Sequence, residues 1–375
     1  MQNPFHYGAP VTGASFVGRQ GELEALVGRM RSQVNVVVMS PRRYGKTSLL
    51  LRAEEVMQRA RPAPAMVSTN VFLCKDLATL AGRLVGGAYQ VRGARWHRAR
   101  QAVVEFLRRI RVRPAVELDE RGTPRFSFSP SLAPADGDEV ISDVYRLLAA
   151  ESASRPAVLI LDEFQAITRH GQHLPFLLKA LSDEHPGVSL VMAGSQRRLL
   201  ERLLTEEGAP LYGMAQRIAL GPIPEAQMAA HLERRAAAGG KSMSKASAMA
   251  VIQLAGPVPN DVQHLAFEAF EVAGPDITAG DVTNGMRRAV EHESNLFAER
   301  VGLLSPGQVR VLMALASGPT VPVFSSAFAR EVGLASGPSV RKAIEAMAEN
   351  EMVVRREGRF VVADPFLAAW LRGAG

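Results

Sequence analysis

Residues 34–39 read Val-Asn-Val-Val-Val-Met, and a short turn then leads into Gly45-Lys46-Thr47. A β-branched run with almost no polar alternation is the pattern of a strand buried on both faces, and such strands occur in parallel sheets covered by helices on either side. The residues from Lys46 through Ser48, Leu49, Leu50 and Leu51 read as a helix start, so the intervening residues form a tight strand-to-helix turn. Further strand-like runs lie at 66–73, 157–161 and 189–193. They alternate with helical patterns such as 22–31, where Leu23, Leu26, Val27 and Met30 share one face. This order predicts an α/β fold with a parallel sheet.

The turn itself, Ser40-Pro41-Arg42-Arg43-Tyr44-Gly45-Lys46-Thr47, follows the phosphate-binding pattern G-x-x-x-x-G-K-[ST], except that Ser40 replaces the first glycine. Backbone N–H groups of such a loop wrap a phosphate, and the helix N-terminus adds its positive dipole end. Gly45 takes backbone angles that a side chain forbids, Lys46 reaches the β- and γ-phosphates, and Thr47 offers a hydroxyl to Mg²⁺. The strand at 157–161 ends in Asp162-Glu163, at the sheet edge where ligands bind in such folds. Asp162 is expected to hold Mg²⁺ and Glu163 to orient and deprotonate an attacking water. The strand at 189–193 ends in Gly194-Ser195-Gln196. Either Ser195 or Gln196 can sense the γ-phosphate there, although a polar turn after a strand reads the same way.

These residues resemble the archaeal-type ATPase family, P-loop proteins grouped with the AAA+ and STAND NTPases, and the resemblance runs almost end to end. Asn3-Pro4-Phe5 with Phe16-Val17-Gly18-Arg19-Gln20-Gly21-Glu22-Leu23 is similar to the family's N-terminal box, which packs near adenine. Pro41 to Leu49, Ser48 included, is similar to its phosphate loop, and Leu161-Asp162-Glu163-Phe164-Gln165 to its Mg²⁺ and water motif. Gly256-Pro257-Val258-Pro259 resembles the Gly-x-Pro signature of a helical lid, which implies that Pro259 approaches the base. Asp364-Pro365-Phe366 with Trp370 resembles its C-terminal ending. One departure is Met214 after Pro210-Leu211-Tyr212-Gly213, where the family has arginine; Arg217, Arg197 or Arg198 can take that role instead. The lid also lacks an arginine beside its signature, as in STAND-like proteins. The resemblance implies ATP or ADP with Mg²⁺ as ligands and ATP hydrolysis as the reaction. It divides the chain into a P-loop core over 1–221 with a basic insertion at about 85–135, a helical lid over 222–296, and a last domain over 297–375.

That last domain reads as a winged helix. Ser305-Pro306-Gly307-Gln308 is a capping box before a helix, Phe328 and Val332 mark a second, and Ser339-Val340-Arg341-Lys342 opens a third. A hairpin follows around Glu357-Gly358. Arg341 and Lys342 on the third helix, with Arg355, Arg356 and Arg359 on the wing, are the expected contacts to double-stranded DNA. Winged helices also serve as protein-interaction modules. The net charge of +7 and a pI of about 9.9 favour polyanionic partners. An arginine run from Arg92 to Arg113, with Trp96 and Phe106 interleaved, can track phosphates but equally reads as a solvated helix face. The residues from 112 to 128 read as a hairpin turning at Glu120-Arg121-Gly122.

The lone cysteine, Cys74, excludes an intrachain disulfide and a cysteine-based metal site. The start lacks a signal-peptide pattern and no apolar run reaches bilayer length, so a cytoplasmic protein without membrane association is expected. Two functions remain open at this point. One is a DNA-associated ATPase whose nucleotide state controls assembly on DNA or on a partner, including a nucleotide-dependent homo-oligomer. The other is a signalling or defence NTPase switch that uses the winged helix as a protein-interaction or autoinhibitory clamp.

Overall fold

The computed structural model describes residues 2–91, 113–118, 124–129, 134–195, 197–204, 206 and 208–373. They fall into two compact units, residues 10–221 in one and residues 1–9 with 222–375 in the other.

The first unit is built on strands β1 (Val36–Met39), β2 (Ala65–Asn70), β5 (Ala157–Asp162), β6 (Val188–Gly194) and β7 (Gln216–Ala219), in the spatial order β2-β5-β6-β1-β7. Every pairing among them is parallel. A separate antiparallel hairpin joins β3 (Arg113–Leu118) to β4 (Pro124–Ser129), as the sequence pattern predicts. Its turn at residues 120–122 lies outside the described residues. Alternation along each strand divides the core between the two sheet faces. Val37, Met39, Leu159, Leu161, Leu190 and Met192 pack with helix α3 (Leu77–Gln90) and the helices Pro134–Glu151 and Leu174–Glu184. Val36, Val38, Val158, Ile160, Val191 and Ala193 pack on the opposite face with α1 (Gln20–Arg31) and α2 (Lys46–Gln58). Each fully buried aliphatic side chain there contributes about 2 kcal/mol, which is why the central strands tolerate no polar alternation.

Strand β6 lies between β1 and β5. The phosphate-loop pattern after β1 and the acidic pair at the end of β5 therefore flank the end of β6. Strand β2 stops at Asn70, earlier than the apolar run suggests, because the Asn70 side chain accepts the Phe72 N–H at 3.0 Å and starts a 3-10 turn. Strand β7 is not predicted by the sequence pattern.

In the second unit the helices Glu225–Ala238, Lys245–Ala255, Pro259–Val272 and Ala279–Gly302 come first. Thr278 and Asp281 form a capping box at the last of these, and the paired hydrogen bonds from Thr278 hold the Asp281 carboxyl below its usual range. This helix runs unbroken through residue 296, the expected end of the lid, to Gly302. Residues 1–9 also belong here and not with the residue 10–221 core, a departure from the expected 1–221 grouping. The cause is local: Phe5 is fully buried edge-on to Phe270 at 6.0 Å, and the Asn3 amide donates to the Phe267 carbonyl at 3.1 Å.

The helices Pro306–Ser317, Ser326–Glu331 and Gly337–Glu349 follow, then strands Val353–Arg356 and Arg359–Val362 and a final helix, Pro365–Gly373. The Ser305–Gln308 capping box forms. Glu357 and Gly358 both have positive φ, 47° and 82°, the two-residue loop geometry that matches the twist of a hairpin. Asp364 caps the final helix by accepting the Phe366 and Leu367 N–H groups, and Trp370 donates to Ser294 at 2.9 Å. Among the described residues no helix is long and apolar enough to cross a membrane.

Candidate functional site

Between β1 and α2 the backbone turns through two left-handed residues, Arg43 at φ 66° and Gly45 at φ 86°. No atom stands within 4 Å of where a Gly45 β-carbon would be, so glycine is required here by the backbone angle and not by space. Pro41, Arg42 and Arg43 are exposed, Tyr44 is buried, and Ser40 donates to the Pro41 carbonyl at 2.9 Å. The first turn of α2 then aims its N–H groups and dipole at the loop.

Lys46 is buried, and its Nζ lies 3.7 Å from Glu163 Oε1. The Thr47 hydroxyl donates to Asp162 Oδ2 at 2.7 Å, while Asp162 Oδ1 accepts the Glu163 N–H at 2.8 Å. Burial pushes the Asp162 carboxyl up from its ordinary range; the Thr47 hydrogen bond opposes that and the neighbouring Glu163 charge adds to it. A buried carboxyl short of positive charge, paired with a hydroxyl, is an oxygen set that suits Mg²⁺ when phosphates and water complete its shell. The residues present therefore fit Mg²⁺ with a bound polyphosphate.

Glu163 adopts φ 50°, an uncommon angle for a residue with a side chain and one that recurs at functional sites. Ser195, at the end of β6, donates to Glu163 Oε2 at 3.2 Å. Gln165 is buried, and its Nε2 donates to the same Glu163 oxygen and to Ser195 Oγ at 3.3 Å. Lys46, Thr47, Asp162, Glu163 and Ser195 are thus brought together. Gln196 lies outside the described residues. Gln165 is part of the motif that follows β5; its contact with Glu163 is local, while its contact with Ser195 depends on the β5–β6 pairing. A β-carbon on Gly194 would stand 2.3 Å from Gln165 Oε1 and 2.6 Å from Leu200 Cδ1. We expect Gly194→Ala to push Gln165 off Glu163 and to lower ATP turnover about tenfold, with ATP affinity within about threefold of the parent. Phosphate release and calorimetry check this, and parental turnover would remove Gln165 from the site.

The N-terminal box lies beside α2. Ser48 accepts the Val11 N–H at 3.0 Å, so its hydroxyl holds this segment. Phe16 packs on the α1/α2 side of the core, Val17 is half-buried and Gly18 has φ 68°. Arg19 is buried, with Nη1 3.0 Å from Glu22 Oε1 and Nη2 donating to the Tyr44 carbonyl at 3.4 Å and to the Gly221 carbonyl. Arg19 is therefore spent on backbone and on Glu22. Met214 packs against the core, Arg217 is exposed on β7, and Arg197 and Arg198 begin the helix Arg197–Leu204. Pro259 belongs to the other unit, at the first position of its helix.

In the winged helix, Arg341, Lys342, Arg355 and Arg359 are exposed. Arg341 stacks over Phe324 at 4.5 Å, and Arg355 lies over Phe360 at 5.9 Å. Successive strand residues face opposite sides, and Arg356 accordingly turns away from Arg355, half-buried, to donate to the Ala363 carbonyl at 3.0 Å. The five cations do not form one face. The arginine run lies outside the described residues from Arg92 to Arg111, and only the backbone at Arg113 is seen, in β3.

A family model described as "Probable winged helix domain" matches residues 295–373. No curated protein matches the chain in sequence. Among solved structures, the Walker-type ATPase of Pyrococcus abyssi is similar at a TM-score of 0.66 and 18% identity, covering 98% of this chain and 99% of that one. The Aeropyrum pernix ORC1 protein, solved in complex with DNA, is similar at 0.51 and 16%, covering 96% and 93%. The Aeropyrum pernix ORC2 protein, solved with ADPNP and ADP, is similar at 0.52 and 13%, covering 99% and 98%. The chain thus shares the fold of these solved structures, and its residues 295–373 form a winged helix.

Proposed function

We propose that the chain binds ATP with Mg²⁺ between its phosphate loop and Asp162, hydrolyses it, and uses the nucleotide state to control assembly on double-stranded DNA in the cytoplasm. The observation that carries this reading is the convergence of Lys46, Thr47, Asp162, Glu163 and Ser195 at the ends of β1, β5 and β6. Mg²⁺ would draw charge from the β- and γ-phosphate oxygens. Lys46 leaves Glu163 for the phosphates, which frees that carboxylate to take a proton from water. Ser195 and Gln165 aim the carboxylate, and the low exposure of Lys46 and Asp162 strengthens each charge contact. Calorimetric titration with ATP, together with phosphate release, tests the reading; no heat of binding in the presence of Mg²⁺ would end it.

Support for the DNA partner comes from the exposed cations of the winged helix and from the similarity to a protein solved with DNA. Affinity for a duplex should fall with salt by about 0.9 log units per phosphate contact per log unit of salt. Arg355→Glu with Arg359→Glu is expected to weaken duplex binding about tenfold or more and to flatten that slope, leaving ATP affinity unchanged. Arg356→Glu should lower the melting temperature instead, because its guanidinium holds the Ala363 carbonyl. Anisotropy titrations over a salt series check both, and no duplex retention at low salt in either nucleotide state removes the DNA partner.

A second reading is favoured by the inward turn of Arg356 and by Met214 in place of arginine. In it the chain is a signalling or defence NTPase switch, and the winged helix clamps a protein, a second copy included.

A further inference from the structure

Arg19 buries a full charge beside the phosphate loop, and burial of a charge is costly unless the surrounding groups use it. Its Nε is buried without a hydrogen-bond partner, so the guanidinium is positioned for its two terminal nitrogens. Nη2 serves two backbone carbonyls from different segments, Tyr44 and Gly221. Tyr44 immediately precedes the left-handed Gly45 and then Lys46. Gly221 is the last residue of the core unit and follows Leu220, whose N–H donates to the Met39 carbonyl at 2.9 Å in the β1–β7 pairing. One strand thus leads into the phosphate loop and its neighbour leads out of the core. Arg19 joins the two beyond their last ladder bond. Nothing stands within 4 Å of a β-carbon at Gly221, so side-chain packing contributes little to holding that residue.

We infer that Arg19 is a positioning residue that carries the state of the phosphate loop to the segment through which the chain leaves the core. When the loop wraps a phosphate its peptide groups reorient, and the Tyr44 carbonyl shares its guanidinium nitrogen with Gly221. A change in one bond is therefore felt by the other. The guanidinium reaches both carbonyls with one terminal nitrogen while the other is held by Glu22; a shorter lysine ammonium supplies the charge without that second, orienting nitrogen.

The inference rests on the nucleotide reading above, and amide hydrogen exchange on the full chain with saturating Mg²⁺-ATP separates the two. In the parent, ATP is expected to slow exchange across residues 216–223 by roughly tenfold. Arg19→Lys, brought to saturation with Mg²⁺-ATP as calorimetry checks and melting within a few degrees of the parent, should show less than a twofold nucleotide-dependent change there. Glu22→Gln keeps the guanidinium and both carbonyl contacts and should retain the parental change, which guards against failure of Arg19→Lys to fold. A parental response in Arg19→Lys, a lost response in Glu22→Gln, or no response in an ATP-loaded parent overturns the inference. Absence of ATP binding in the parent removes the nucleotide reading itself, and the inference with it.

Discussion

Lys46→Ala is expected to lower ATP affinity by at least about a hundredfold, the equivalent of roughly 3 kcal/mol. The lysine is buried at the first position of α2, where the dipole and the loop amides already favour anions, and its ammonium lies 3.7 Å from Glu163 Oε1. A neutral methyl removes the ammonium that would stand between the β- and γ-phosphates and the Glu163 carboxylate. The loop geometry should survive, because Gly45 and the Thr47–Asp162 hydrogen bond are untouched. Calorimetry with Mg²⁺-ATP reads the effect, and an unchanged affinity would take the phosphate site away from this loop.

Glu163→Gln separates hydrolysis from binding. The amide is nearly isosteric and still accepts from Ser195, so the φ 50° turn and the contacts of Gln165 have no reason to rearrange. It cannot take a proton from water. Turnover is expected to drop by about 10² to 10⁴, the usual contribution of a positioned general base, while ATP affinity holds or rises as the acidic repulsion is relieved. Single-turnover phosphate release measures this, and equal rates in variant and parent would exclude Glu163 as the base.

Much of this site is legible in the sequence because its determinants are local. The run at 36–39 has to be a doubly buried strand, and Asp162-Glu163 directly after a second such strand has to lie at the same sheet edge. The capping box at Ser305 and the Glu357-Gly358 turn are likewise short-range codes. Strand β7 escaped because only Ile218 of its four residues is buried; an edge strand of that length carries no pattern. The meeting of Ser195 with Glu163 and Gln165 escaped because it depends on β6 lying next to β5, which periodicity does not encode. The wing cations look like one patch in sequence because Arg355 and Arg356 are adjacent, and the pleat separates them. Arg19 reads as a nucleotide-box residue, whereas its partners, Tyr44 and Gly221, are set by tertiary structure.

Phe5 and Asn3 pack on the helix Pro259–Val272, so one unit is assembled from the two ends of the chain while the other is continuous. During synthesis residues 3–5 leave the ribosome well before their partners on the helix Pro259–Val272, which arrive only after the strands of the sheet have been made. The sheet unit holds all of its own strands and can finish first, since domains generally fold as units in the order they emerge. Residues 3–5 must meanwhile stay solvated, and the Asn3–Phe267 contact closes a sequence separation of 264 residues, a late and slow kind of contact. Any tag or fusion partner attached at Met1 is therefore appended to the last piece to dock, next to a buried aromatic ring, and not to a free tail of the sheet unit.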